Sequence, residues 1–124
     1  MVELMKCQKC GCIVEVIKDG EEGACKKEGW IHLTPNTEDA ALEKHVPDVT
    51  VEGNIVTVKV GSVTHPMLPA HHITNIWLET EAGVQRADLD PEGAPKAVFT
   101  LSDGDKPVAA YEYCNLHGFW MKAL

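Results

Sequence analysis

From residue 48 onward the chain contains short segments in which apolar and polar residues alternate with a period of two, the pattern of half-buried β-strands. The alternating stretch VTV at 49–51 is followed by Gly53 and Asn54 and then by IVTVKV, which predicts a hairpin with a two-residue turn. Four more strands are predicted, at 73–80, 84–89, 96–101 and 108–113. Short strands at this spacing indicate an all-β, antiparallel sandwich.

The first thirty residues differ from the rest because they contain four of the five cysteines, namely Cys7, Cys10, Cys12 and Cys25. The IVEVI stretch at 13–17 alternates like a strand. So small a segment buries too little apolar surface to fold without metal or dimerisation. We therefore expect two domains, residues 1–33 and 34–124, with at most one or two helical turns at 34–45.

Composition and charge narrow the range of functions. The chain has 124 residues, 44% of them apolar, and a formal net charge of -8. This charge argues against nucleic-acid binding and against anionic membranes, because no basic stripe is present. We expect a cytoplasmic protein, since neither a signal-peptide pattern nor a membrane-spanning run occurs. In that reducing compartment the cysteines are expected to be metal ligands or free thiols.

Histidines and a cysteine stand where the predicted strands end, so their side chains can converge above the sandwich. The set comprises His45, His65, one of the adjacent pair His71 and His72, Cys114 and His117. Neighbouring residues of an extended segment point to opposite sides, so only one of that pair can face a metal. The C-x-x-H spacing lets one tight loop present a thiolate and an imidazole to the same ion. His32 has no histidine or cysteine at a useful spacing and is expected to be solvated.

Two other functions fit parts of this pattern. Cys114, His117 and the downstream Met121 are spaced much as in the copper loop of a cupredoxin-like electron carrier. Such a site needs only one upstream histidine, however, and this chain offers several. The second alternative is a non-catalytic β protein in which a closed zinc site only stabilises the fold.

The separated motifs together resemble the desulfoferrodoxin and neelaredoxin superoxide reductases. They are EKHVP at 43–47, GSVTHPM at 61–67, His71, and EYCNLHG at 112–118. The resemblance implies an immunoglobulin-like β-sandwich and one mononuclear iron, Fe²⁺ or Fe³⁺. It also implies four histidine ligands in one plane, an axial Cys114 thiolate and an open position opposite, and it selects His71 over His72. The ligands would be His45, His65, His71, His117 and Cys114.

The same resemblance assigns roles beside the metal. Glu43 matches the family's glutamate that can occupy the sixth position of the ferric site. Lys44 matches its lysine beside the open position, where a local cation would attract superoxide despite the negative charge of the chain. The implied reaction is one-electron reduction of superoxide to hydrogen peroxide. A rubredoxin-type protein is the implied electron donor, and the chain is expected to form a homodimer or larger homo-oligomer.

The N-terminal segment resembles a desulforedoxin module with an altered cysteine set. Cys7, Cys10 and Cys25 match that module's iron ligands, but Lys26 stands where the fourth sulfur is expected. Three interpretations follow: no metal, a site that uses Cys12 as the fourth ligand, or an iron or zinc site completed by water. Cys10 and Cys12 are too close in sequence for easy tetrahedral chelation by both, which favours absence of the usual centre.

Overall fold

The computed structural model describes residues 1–18, 20, 29–39 and 44–124. The chain folds into two compact units, Met1–Thr34 and Pro35–Leu124. None of the described residues is helical, so no described helix could cross a membrane. The helical signal at 34–45 falls largely on residues 40–43, which lie outside the described part of the chain.

The first unit contains a three-stranded antiparallel sheet. Its strands are β1 (Leu4–Cys7), β2 (Ile13–Glu15) and β3 (Trp30–Leu33), in the spatial order β2-β1-β3. A tight turn joins β1 to β2: the N–H of Gly11 donates to the carbonyl of Cys7, and the N–H of Cys7 donates to the carbonyl of Cys12. Gly11 has a φ of +76°, a conformation that glycine adopts without steric penalty. The strand predicted at 13–17 is present but shorter, whereas β1 and β3 were not predicted.

The second unit contains two antiparallel sheets. One has the order β10-β9-β6-β7 and the other β4-β5-β8. The strands are β4 (Pro47–Glu52), β5 (Ile55–Val60), β6 (Ile73–Thr80), β7 (Val84–Asp88), β8 (Lys96–Thr100), β9 (Pro107–Cys114) and β10 (Gly118–Ala123). The predicted hairpin is confirmed, with Glu52 opposite Ile55 across the turn. Only β10 of this unit was missing from the sequence prediction.

One apolar core lies between these two sheets. Buried side chains alternate with exposed ones along β5 and β8, as the period of two predicts. These side chains cluster with buried residues of β6 and β9 in the other sheet, among them Ile76, Leu78 and Ala110. Burying each large aliphatic side chain contributes about 1.5–3 kcal/mol. The predicted all-β antiparallel sandwich is therefore confirmed.

Strand register brings several chain segments to one end of the sandwich. Pro47 at the start of β4 pairs with Val60 at the end of β5. Cys114 at the end of β9 pairs with both Ile73 and Gly118, the first residues of β6 and β10. The residues just outside these strand ends are therefore neighbours in space, although they are far apart in sequence.

The loop after β5 approaches the segment before β4 so closely that a side chain at Gly61 is excluded. Gly61 has a φ of +81°, and an added Cβ would collide with the backbone oxygen of Lys44 and lie 2.6 Å from that of Val63. Gly53 also has a positive φ, +59°, but a Cβ there would meet open space. The two glycines therefore separate the effect of backbone conformation from that of steric contact.

We expect Gly53→Ala to lower the free energy of unfolding by about 1–2 kcal/mol, the left-handed penalty alone. Gly61→Ala should lower it by about 1–3 kcal/mol more, because the backbone must shift to relieve the collision. Urea denaturation of the two variants beside the parent protein measures both values. Equal losses for the two variants would contradict the close approach at Gly61.

Candidate metal centre

Four of the predicted ligands meet at the end of the sandwich where β4, β6, β9 and β10 have their termini. The donor atoms of His45, His65, Cys114 and His117 all lie within 4.8 Å of one another. Cys114 Sγ is 3.7 Å from Nε2 of His65 and 3.8 Å from Nδ1 of His117. His117 is exposed, whereas the other three are buried. Imidazole and thiolate groups at this separation are suited to a transition metal.

His71 completes a closed arrangement of four rings, which we call the imidazole square (His45, His65, His71 and His117). The ring centroid of His71 is 4.7 Å from that of His65 and 5.0 Å from that of His117. On the opposite corner, His45 is 4.7 Å from His65 and 4.9 Å from His117. Each ring therefore has two ring neighbours at nearly equal distances. His71 is not a member of the tighter group of four donors within 4.8 Å.

A buried carboxylate lies beside this cluster. Glu112 is fully buried, and its Oε1 is 3.4 Å from Nδ1 of His45. Among the described residues neither carboxylate oxygen makes a hydrogen bond. Burial raises the pKa of Glu112 well above its usual value, and the negative charge of Asp39 raises it further. A cation held by the adjacent histidine would offset that burial, so a buried carboxylate with no hydrogen bond among the described residues is a sign that the donors fit a metal ion such as iron.

Sequence reasoning missed Glu112, although a signal for it was present. It lies two residues before Cys114 on β9, so the period of two places both side chains on the same face. A charged residue within the buried run of that strand is unusual in the absence of a compensating partner.

Trp120 flanks the same histidine from the neighbouring strand and was also missed. Its ring stacks on that of His45, with centroids 4.8 Å apart and planes 18° apart. Its Nε1 donates a hydrogen bond to the carbonyl oxygen of His117 at 3.1 Å. Trp120 pairs directly with Glu112 in the β9–β10 ladder, so cross-strand neighbours both contact His45. One aromatic residue thereby supports two members of the imidazole square.

The backbone before β4 is held by Asp39. Its Oδ1 accepts hydrogen bonds from the N–H groups of His45 at 2.6 Å and Val46 at 2.8 Å. Lys44 directly precedes His45 and is partly buried, while Glu43 lies outside the described residues. The predicted catalytic role of Glu43 therefore stays a prediction from sequence.

The N-terminal cysteines are placed only in part. Cys7 ends β1, and both Cys10 and Cys12 are exposed in or after the following turn. Hydrogen bonds from the backbone of Cys10, the backbone of Lys9 and the thiol of Cys10 lower the pKa of Cys7. Cys25, the third predicted ligand of a second metal site, lies outside the described residues.

Two histidines that were expected to have no ligand role make contacts with other groups. His32 is exposed on β3, with Nε2 3.8 Å from a carboxylate oxygen of Glu3. His72 has its Nδ1 3.1 Å from the carbonyl oxygen of Leu68.

Met121, the axial ligand in the copper alternative, lies three residues beyond Gly118 on β10, so its backbone is roughly 10 Å from the level of Cys114. The copper alternative is correspondingly weakened.

Comparisons with known proteins agree with this geometry. The family model described as Desulfoferrodoxin matches residues 37–123. The chain is 44% identical over 120 residues to a desulfoferrodoxin of Syntrophotalea carbinolica, covering 96% of this chain and 94% of that one. It is 42% identical to a desulfoferrodoxin homolog of Archaeoglobus fulgidus, and the match covers 97% of this chain and 95% of that one.

A solved structure gives the same result over both units. The superoxide reductase of Treponema pallidum superposes with a TM-score of 0.82 at 35% sequence identity, covering 98% of each chain. The family match spans most of the chain, and the structural match extends over nearly all of it. On these sequence and structural grounds, the chain belongs to the desulfoferrodoxin family.

Proposed function

We propose that this protein is a superoxide reductase that converts superoxide into hydrogen peroxide. The observation that carries the proposal is the imidazole square with Cys114 Sγ beside two of its rings, at 3.7 and 3.8 Å. Membership of a family that includes superoxide reductases supplies the reaction. The protein is an oxidoreductase on the same grounds.

The five donors would hold one iron ion, His45, His65, His71 and His117 through imidazole nitrogens and Cys114 through sulfur. When bound, iron supplies the single electron that, with two protons, converts superoxide into hydrogen peroxide. Neutral imidazoles leave the positive charge of the ion largely in place, and one thiolate donates electron density to it. The complete burial of Cys114 keeps water away from the sulfur and preserves that donation.

Lys44 would bring the substrate to the centre. The chain carries a net charge of -8, so its overall field repels an anion such as superoxide. The local field at the site decides the rate of encounter, however, and Lys44 is adjacent in sequence to a proposed ligand, His45. We further propose that Glu43, on the same segment, binds the ferric ion after turnover, as the family resemblance implies.

The remaining features of the proposal concern the first unit and the partners. We propose that the usual four-sulfur iron centre is absent, because Lys26 replaces its fourth cysteine. Any iron or zinc held there would use Cys7, Cys10 and Cys25. Electrons would then pass from a rubredoxin-type donor directly to the catalytic iron. Homo-oligomerisation and a cytoplasmic location are proposed from sequence and family resemblance alone.

Metal content and product analysis test the function. We expect the purified protein to contain about one iron per chain and, with a reductant present, to consume superoxide and form hydrogen peroxide without releasing oxygen. The Cys114→Ser variant should keep its sandwich fold by circular dichroism and lose the reaction, because the thiolate tunes the metal. Oxygen release would indicate dismutation instead, and full activity of the serine variant would refute Cys114 as a ligand.

The steering role of Lys44 predicts an ionic-strength effect. Lys44→Ala should lower the second-order rate constant with superoxide by roughly tenfold at low salt, and the remaining rate should depend less on salt. Pulse radiolysis across a series of salt concentrations measures both effects. Lys106→Ala is the matched control, because Lys106 directly precedes β9, at the opposite end of that strand from Cys114. An unchanged salt slope in Lys44→Ala would remove the steering argument.

The contact between Glu112 and His45 predicts weaker metal binding when the carboxylate is neutralised. Glu112→Gln keeps the size of the side chain but removes its charge, so iron affinity should fall about tenfold or more. Competition with a chromophoric chelator measures the affinity. Glu52→Gln, an exposed change on β4, serves as the control and should leave the affinity unaltered. Equal affinities in the two variants would exclude an energetic role for Glu112.

A further inference from the structure

Asn115 makes hydrogen bonds to the chain on both sides of His71. Its side-chain Oδ1 accepts from the backbone N–H of His72 at 2.9 Å, and its Nδ2 donates to the carbonyl of Ala70 at 3.0 Å. Its own backbone N–H donates to the carbonyl of His72 at 3.2 Å. Three hydrogen bonds thus link the loop after β9, which follows Cys114 and contains His117, to the loop before β6.

The loop before β6 is a tight turn closed by its own backbone. The N–H of Leu68 donates to the carbonyl of His71 at 2.9 Å, and the N–H of His71 donates to the carbonyl of Leu68 at 3.0 Å. This pairing fixes the internal shape of the turn but does not fix where the turn lies relative to Cys114. The pairing of Ile73 with Cys114 places the end of this loop beside β9, and the bonds of Asn115 add a second link, at the residues on either side of His71.

Within the imidazole square, His71 is the histidine that the side-chain hydrogen bonds of Asn115 flank. It lies outside the group of four donors that fall within 4.8 Å of one another. The segment of His45 and the loop of His117 are supported in other ways. Asp39 accepts a hydrogen bond from the backbone N–H of His45, and the ring of Trp120 stacks on that of His45. Nε1 of Trp120 donates to the carbonyl oxygen of His117. Asn115 occupies the equivalent supporting position for His71.

We propose that Asn115 is a positioning residue that holds His71 in the imidazole square and ties it to the loop of Cys114 and His117. Asparagine suits this task because one side chain carries both an acceptor and a donor. The partner groups, an N–H and a carbonyl, also set which end of the amide is oxygen. Residues that support metal ligands from behind commonly control metal affinity and ligand geometry. The inference rests on the proposed iron site.

The chemistry of the side chain defines a graded series of variants. Asn115→Ala removes both side-chain hydrogen bonds and leaves only the backbone bond to His72. Asn115→Asp keeps an acceptor for the N–H of His72, but its second oxygen faces the carbonyl of Ala70, so one bond is lost and a repulsion is added. Asn75→Ala is the matched control, because its side chain bonds to Asp88 at 2.6 Å on the surface of β6 and β7.

The experiment measures iron affinity by chelator competition and ferric-site symmetry by electron paramagnetic resonance, neither of which requires turnover. Asn115→Ala should bind iron about 10-fold or more weakly and show an altered ferric spectrum. Asn115→Asp should also bind iron more weakly than the parent protein, because it loses one bond and adds a repulsion, and Asn75→Ala should match the parent protein. If Asn115 acts through His71, adding Asn115→Ala to His71→Ala should change affinity by less than about 2-fold.

Several results would overturn the proposal. One is parent-like affinity and an unaltered spectrum in Asn115→Ala, and another is an equally large loss in the His71→Ala background. Should Asn115→Ala fail to fold, Asn115→Asp decides: a parent-like spectrum and affinity there refute the role. Failure of the proposed function is distinguishable, because the parent protein itself would then bind no iron or leave superoxide unreduced.

Discussion

The convergence of four imidazoles and one cysteine sulfur at one end of a β-sandwich is the constraint on which the rest of this protein depends. Two register pairs bring it about, Pro47 with Val60 and Ile73 with Cys114. Each pair places the ends of two strands side by side, and each candidate ligand lies within a few residues of such an end. A one-residue slip in either pairing would turn a whole strand over and separate the donors.

Burying this group of metal-binding side chains lowers the stability of the fold when no ion is bound. Imidazoles and a thiol are packed together in a largely buried space, and Glu112 is buried beside them without a hydrogen bond among the described residues. Desolvation of a carboxylate disfavours its charged form, which is why the pKa of Glu112 is raised. A bound cation removes much of this penalty. In the proposed iron site, metal binding and stability of this end of the sandwich would therefore be coupled.

Support for the candidate ligands comes mainly from neighbours that do not reach the metal position themselves. Asp39 holds the backbone at His45, Trp120 stacks on its ring, and Asn115 brackets His71. The contact of Asp39 is local, whereas those of Trp120 and Asn115 join segments far apart in the chain, so the geometry of the site depends on the folded sandwich. The same sandwich leaves His117 exposed, so the centre is not wholly sealed from solvent.

The sequence alone determined the limits of β6 and the β4–β5 hairpin, and it determined strands with a clear period of two such as β5 and β8. Those strands alternate because one face packs in the core, and that requirement is local enough to be seen in a single segment. Strands β1, β3 and β10 were not predicted, because they are short or contain residues such as Trp120 that serve a site instead of a regular core face.

The candidate ligands were also predictable from sequence, because their motifs resemble those of a known family and because histidine and cysteine carry recognisable chemistry. Only the tertiary structure decided which side chains support these ligands. The contact of Glu112 with His45, the stacking of Trp120 and the hydrogen bonds of Asn115 across to Ala70 and His72 each depend on which strand or loop lies alongside. Pairing between distant segments is set by the free energy of the whole core, and a local pattern of residues does not contain that information.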